Sequence, residues 1–159
     1  MAARSKARKR ALDILFEAEL RGLPPLGLLS ERQSLGEQPV PGYAAELVRG
    51  VAAHQPEIDN LISENAVDWT LDRMPTVDRN VLRLGVYELL WAGDVPDAVA
   101  ISEAVLLVQD LSTDASPAFV NGLLARIKNL KSAEPGGAES GGPKSGGPES
   151  GGGEAQAQA

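Results

Sequence analysis

Pro75-Thr76-Val77-Asp78-Arg79-Asn80-Val81-Leu82-Arg83-Leu84-Gly85-Val86-Tyr87-Glu88-Leu89-Leu90-Trp91 is the stretch that decides the fold. Its apolar residues Val77, Val81, Leu82, Leu84, Val86, Leu89, Leu90 and Trp91 fall on nearly every side of the helical period, and Pro75 suits a first turn. A helix that is apolar almost all round must be enclosed by other helices. Residues 75–91 are therefore expected to form the centre of a bundle.

Reading outward from that helix, the flanking chain supplies the partners. Asp94-Val95-Pro96 closes the turn and opens a helix carrying Ile101, Ala104, Val105 and Val108 as far as Leu111. Residues 112–117 form a polar break in which Ser116 can cap and Pro117 can take the first helical position. Phe119, Val120, Leu123, Leu124 and Ile127 then mark a last helix to Leu130. On the other side, Tyr43 to His54 places Ala44, Leu47, Val48 and Val51 on one face. Pro56 is expected to start a separate helix through Ile58, Leu61 and Ile62 to about Asn65, and residues 68–71 form a corner. Residues 22–42, with Pro24, Pro25, Pro39 and Pro41, read as a connector holding a short helix over 26–33. The first helix runs from about Lys6 to Arg21, with Ser5 as N-cap and Gly22 as its stop. It bears one stripe of Ala11, Ile14, Leu15 and Ala18 and a displaced one of Leu12, Phe16 and Leu20. The second stripe either packs inward as well or faces a partner. No strand pattern of any length interrupts the series. The expected fold is all-α, a bundle of about six or seven short helices over residues 5–131.

Composition agrees and removes several classes of function. Of 159 residues 43% are hydrophobic but only 4% aromatic, so the core must be built from Leu, Val, Ile and Ala, which suits helices. The absence of cysteine excludes disulfides, thiolate zinc and thiol catalysis. His54 is the one histidine, at a helix end, and a zinc site around it would need three carboxylates that do not cluster. No Gly-Lys-Ser/Thr phosphate loop occurs, and Asp68, Asp72 and Asp78 sit where caps and first turns belong. A non-enzymatic protein without metal or cofactor is expected. The apolar stretches are too short to span a bilayer, and no signal core follows the basic start, so a cytoplasmic location is expected. Residues 132–159 turn to Gly, Ser, Pro, Glu and Ala, with Ser-Gly-Gly recurring at Ser140, Ser145 and Ser150. With no apolar face to bury, this tail is expected to be disordered.

Charge is the informative anomaly. The net value is −7, yet residues 1–10 hold Arg4, Lys6, Arg8, Lys9 and Arg10 and no acid. Taking those five from 15 basic residues leaves 10 against 22 acids in the remainder. Such segregation fits a basic arm that binds something anionic; a solvated, frayed terminus stands equally open on charge alone.

Four stretches resemble the NusB family: Ala7-Arg8-Lys9-Arg10-Ala11-Leu12-Asp13-Ile14-Leu15-Phe16, Val77 to Leu89 of the central helix, Asp94-Val95-Pro96 through Val99-Ala100-Ile101-Ser102-Glu103-Ala104, and Phe119-Val120-Asn121-Gly122-Leu123-Leu124. With the lengths between them they cover about residues 4–131. The resemblance implies two small helical subdomains packed on each other. It also implies a transcription antitermination factor that pairs with the ribosomal protein NusE, binds boxA RNA of ribosomal RNA operons, and helps RNA polymerase pass terminators. Arg4, Lys6 and Arg8 fall on the family's basic RNA-binding arm, and Lys9 and Arg10 extend it. Phe119 matches an aromatic near the RNA, although its spacing equally suits the core. Phe16 and Asp78 match positions on the NusE-facing side; if both look outward, a partner could bury the ring and pair a cation with the carboxylate, whereas Phe16 equally suits the core. Ala118 departs from the family, which often has a basic residue there. Two alternatives remain: a protein-only helical adaptor, or a stand-alone module related to the N-terminal domains of RNA methyltransferases. Helical surfaces of this kind also suit a homodimer.

Overall fold

The computed structural model describes residues 2–35 and 38–133. They form α1 (Ala3–Arg21), α2 (Pro25–Leu35), α3 (Gly42–Asn65), a single 3-10 turn at Leu71–Arg73, α4 (Thr76–Trp91), α5 (Asp97–Leu111) and α6 (Ser116–Ala133). No strand occurs among the described residues. The chain divides into a compact unit up to Ile127 and a second unit from Lys128, of which the helical course of residues 128–133 is described.

The central helix is central for the reason its sequence gives. Val81, Leu82, Leu84, Val86 and Leu89 are buried around its circumference, and α4 packs against α1, α3 and α5. The helices α1, α2 and α3 pack on one another and supply Ile14, Leu28, Leu47, Val51, Ile58 and Ile62 to the same core. From the other half come Ala100, Ala104 and Val108 of α5 and Val120, Leu123, Leu124 and Ile127 of α6. The halves α1–α3 and α4–α6 thus share one apolar interior, with α4 as the common wall. Gly85 sets how near α6 can come: a Cβ built there would lie 2.8 Å from Leu124 Cδ1.

Local signals hold in part. Gly22 stops α1 in the left-handed region at φ 66°, its N–H reaching the carbonyls of Ala18 and Glu19. Ser5 is not the N-cap. The helix starts at Ala3, and Ser5 Oγ instead donates to Glu103 Oε1 of α5 at 2.6 Å. Pro56 does not start a new helix but lies inside the 24-residue α3. Its missing N–H and ring oppose that, yet its side is exposed while Val51, Ile58 and Ile62 are fully buried on the core side. Continuous burial across the proline outweighs one lost hydrogen bond. α6 runs to Ala133, one turn past the expected Leu130, so the tail expected over 132–159 begins inside a helix. Residues 134–159 lie outside the described residues.

The contact between α4 and α6 yields a prediction. Gly85→Val adds a branched side chain against the fully buried Leu124, so overpacking should outweigh any gain in helix propensity. A loss of about 2–3 kcal/mol is expected, read as a lower urea midpoint at unchanged m.

Candidate nucleic-acid interface

The five basic residues of the start lie on α1 itself, and the helix sorts them into different environments. Arg8 is turned inward, 5% exposed. Its Nε donates to both carboxylate oxygens of Glu88 on α4 at 3.0 Å, and its Nη1 lies 3.3 Å from Glu103 Oε1 on α5. The Tyr43 hydroxyl of α3 donates to the same Glu88 carboxylate. Burial works against the Arg8 charge, but the Glu88 hydrogen bond and charge outweigh it, and its pKa is raised. Burial and then the Glu88 carboxylate push the Tyr43 phenol well above its ordinary range, so it stays a donor. Four helices therefore meet on one buried ionic cluster.

The other cations remain near the surface. Arg4 lies 4.1 Å over the Tyr43 ring and donates from Nη2 to Asp94 at 2.8 Å, in a pair whose side chains are 45% and 67% exposed. That hydrogen bond raises the Arg4 pKa and holds Asp94 below the usual carboxylate range. Lys9 pairs with Asp13 one turn along, at 3.0 Å and largely in water. Lys6 is exposed and forms no ion pair among the described residues. Arg10 is half-buried, and its Nε is enclosed without a hydrogen-bond partner. Exposed pairs contribute about 0–1 kcal/mol, so Arg4 and Lys9 can exchange their carboxylates for phosphates at little cost. Arg8 cannot, because leaving would strand Glu88 in the core.

Phe119 is half-buried at the first turn of α6, meeting Trp69 edge-to-face with centroids 4.8 Å apart. It packs on the core and still keeps part of its ring at the surface. Ala118 beside it is exposed and adds no charge.

The displaced stripe of α1 emerges gradually: Leu12 is buried, Phe16 half-buried and Leu20 63% exposed. Between α1 and α5 runs a groove of about 300 Å³ with Leu106, Leu107 and Leu111 on its floor and Ser5, Lys9, Glu103 and Asp110 at its edges. Phe16 lies two turns beyond Lys9 on the same helical face of α1, outside the residues that line this groove. Leu106 and Leu111, 52% and 41% exposed, give it an apolar character.

Asp78, matched to the NusE-facing side, does not look outward. It is fully buried, and its Oδ1 accepts from Ser112 Oγ at 2.5 Å. Ser116 Oγ donates to Ser112 Oγ at 3.1 Å and accepts the Thr113 N–H at 3.3 Å. Asp78 thus ties the start of α4 to the α5–α6 connection instead of facing a partner. The physical reason is that the first turn of α4 packs against the α5–α6 connection, so the carboxylate buried there takes an internal donor.

Sequence reasoning missed Tyr43, Glu88 and Glu103. The signal was there: polar groups in a helix apolar all round must be paired inside. Arg83 follows the same rule, binding Asp59 through Nε at 2.8 Å and Nη2 at 3.1 Å, and Glu19 through Nη1 at 3.0 Å. Arg79 likewise pairs with Glu19 and donates to the Leu71 carbonyl at 2.7 Å. These arginines line an open cleft with Trp69, but their charges are already neutralised. Among the described residues no group of His, Asp and Glu could hold a metal ion, and no helix is long and apolar enough to cross a membrane.

The cluster predicts a sharp contrast between two arginines four residues apart. Arg8→Ala should cost about 3–5 kcal/mol, because it leaves Glu88 buried and unpaired. Arg4→Ala should cost less than about 1 kcal/mol. Urea unfolding of the two variants measures the difference directly.

Sequence and structure comparisons agree with this geometry. The NusB family pattern matches residues 5–129. The transcription antitermination protein NusB of Acidothermus cellulolyticus is 61% identical over 128 residues, covering 80% of this chain and 88% of that protein. A crystal form of T. maritima NusB superposes with a TM-score of 0.72 at 35% identity, covering 80% of this chain and 92% of that one. A crystal structure of antitermination factors NusB and NusE in complex with dsRNA gives 0.70 at 32% identity, covering 80% and 96%. From its basic, internally pinned first helix to its last, this chain belongs to the NusB family.

Proposed function

We propose that the protein is a cytoplasmic transcription antitermination factor that binds boxA-type RNA together with NusE and acts by assembly, without catalysis. The observation that carries this reading is the presentation of Arg4, Lys6, Lys9 and Arg10 on a helix held rigid by the buried Arg8–Glu88 pair. Surface cations at Arg4, Lys6 and Lys9 on an otherwise acidic body localise phosphate binding to one end of α1. Phe119, with part of its ring at the surface, supplies a second contact at the start of α6. The apolar groove between α1 and α5, with Phe16 on the same face of α1, is the seat for NusE, and the assembled complex then engages RNA polymerase. The likeness to a NusB–NusE–RNA assembly supports both partners.

RNA binding measured by anisotropy at several salt concentrations tests the reading. With about four phosphate contacts the slope of log affinity against log salt should be about −3, a loss of about fifty-fold between 50 and 200 mM. Replacing Arg4, Lys6 and Lys9 by Ala should flatten that slope and leave the melting temperature unchanged. Phe16→Asp should weaken NusE binding by about 2 kcal/mol or more while the folded helical signal persists. Unaltered RNA affinity in the triple variant, or unaltered NusE affinity in folded Phe16→Asp, would remove the corresponding surface.

A further inference from the structure

Next to the basic turn of α1, the joint face of α3 and α4 carries three rings that the reading above leaves unused. His54 and Trp91 stack with centroids 4.0 Å apart and planes inclined by 13°. Tyr87 lies beside them, 6.2 Å from Trp91 at 19° and 6.4 Å from His54 at 30°. All three are half-exposed, and their planes lie within 30° of one another. Gly50 makes room for the group, since a Cβ there would lie 2.2 Å from the Tyr87 ring.

This cluster continues the basic end of the molecule. Tyr43, Gly50 and His54 occupy one stripe of α3, spaced seven and four residues apart. Tyr43 lies under Arg4 at one end of the stripe, and His54 stacks on Trp91 at the other. The eleven residue steps from Tyr43 to His54 span about 16 Å of helix, close to five stacking steps of a nucleotide strand at about 3.4 Å each. The rim carries acids as well: Asp94 is held by Arg4, Glu57 lies 3.3 Å from His54, and Glu46 is exposed. Sparse cations beside partly exposed, mutually stacked rings suit unpaired bases better than a phosphate-dense duplex, because base stacking on aromatic rings needs no charge.

We propose that His54, Tyr87 and Trp91 form a stacking platform for unpaired bases of the RNA strand whose phosphates the first turns of α1 hold. This rests on the RNA-binding reading and adds to it a site that recognises bases by their faces. The platform favours single strands, and it is indifferent to the phosphate contacts that set salt dependence.

Anisotropy titrations of the full chain test it, using a boxA-type single-stranded RNA of about ten nucleotides and an abasic strand of the same length. Trp91→Ala should weaken the base-bearing RNA about tenfold with an unchanged salt slope, and Trp91→Phe should restore most of that loss. Both variants should bind the abasic strand as the unaltered protein does. If circular dichroism shows Trp91→Ala unfolded, His54→Ala takes its place, with a loss of about threefold expected. Base-bearing RNA bound within twofold of the unaltered protein by a folded variant overturns the platform. So does a loss confined to NusE binding, which would make the face a protein interface. If the unaltered protein binds no RNA with or without NusE, the RNA-binding reading itself falls, and the platform with it.

Discussion

A carboxylate on the central helix cannot remain alone in an apolar interior, and Glu88 is 2% exposed. Its partners are drawn from two other helices: Arg8 from α1 and the Tyr43 hydroxyl from α3, with Glu103 of α5 closing the cluster from the far side of Arg8. Much else depends on this pairing. It fixes the rotation of α1 about its axis, which decides which of the five cations point outward. It also brings the Tyr43 ring under Arg4 and so sets where the basic turn meets the face of α3 and α4.

The same requirement repeats along α4. Asp78 takes Ser112, Asn80 and Arg83 share Glu19, and Arg83 also grips Asp59. Between them the polar residues of the helix reach Glu19 of α1, Asp59 of α3 and Ser112 at the end of α5, so the apolar contacts give cohesion while the ionic ones select register. Leucine and valine pack in many arrangements with little change in energy; a buried arginine accepts few. That division of labour lets a core poor in aromatic residues still hold one arrangement of six helices.

Function follows from what this pinning leaves over. The exposed cations and the groove between α1 and α5 border the first turns of α1, and Tyr43 under Arg4 links them to the α3 face that carries the ring cluster. A helix with one face committed to the core can offer its remaining arc to two partners without either disturbing the other. Arg8 illustrates the cost of reading charge alone: in sequence it belongs to the basic run, but in space it belongs to the core.

The amino-acid sequence by itself determined the helical class, the central position of residues 75–91, the stop at Gly22 and the segregation of positive charge. Each of these depends on neighbours within a few turns, where periodicity, φ preference and composition act directly. Only the tertiary structure decided that α3 runs through Pro56, that Ser5 bonds to Glu103 instead of capping α1, and that Asp78 and Arg8 face inward. It alone assembled His54, Tyr87 and Trp91 over Gly50. The physical reason is common to all of them. A buried polar group or a ring takes its place from partners far away in the chain, and no local pattern records who they will be.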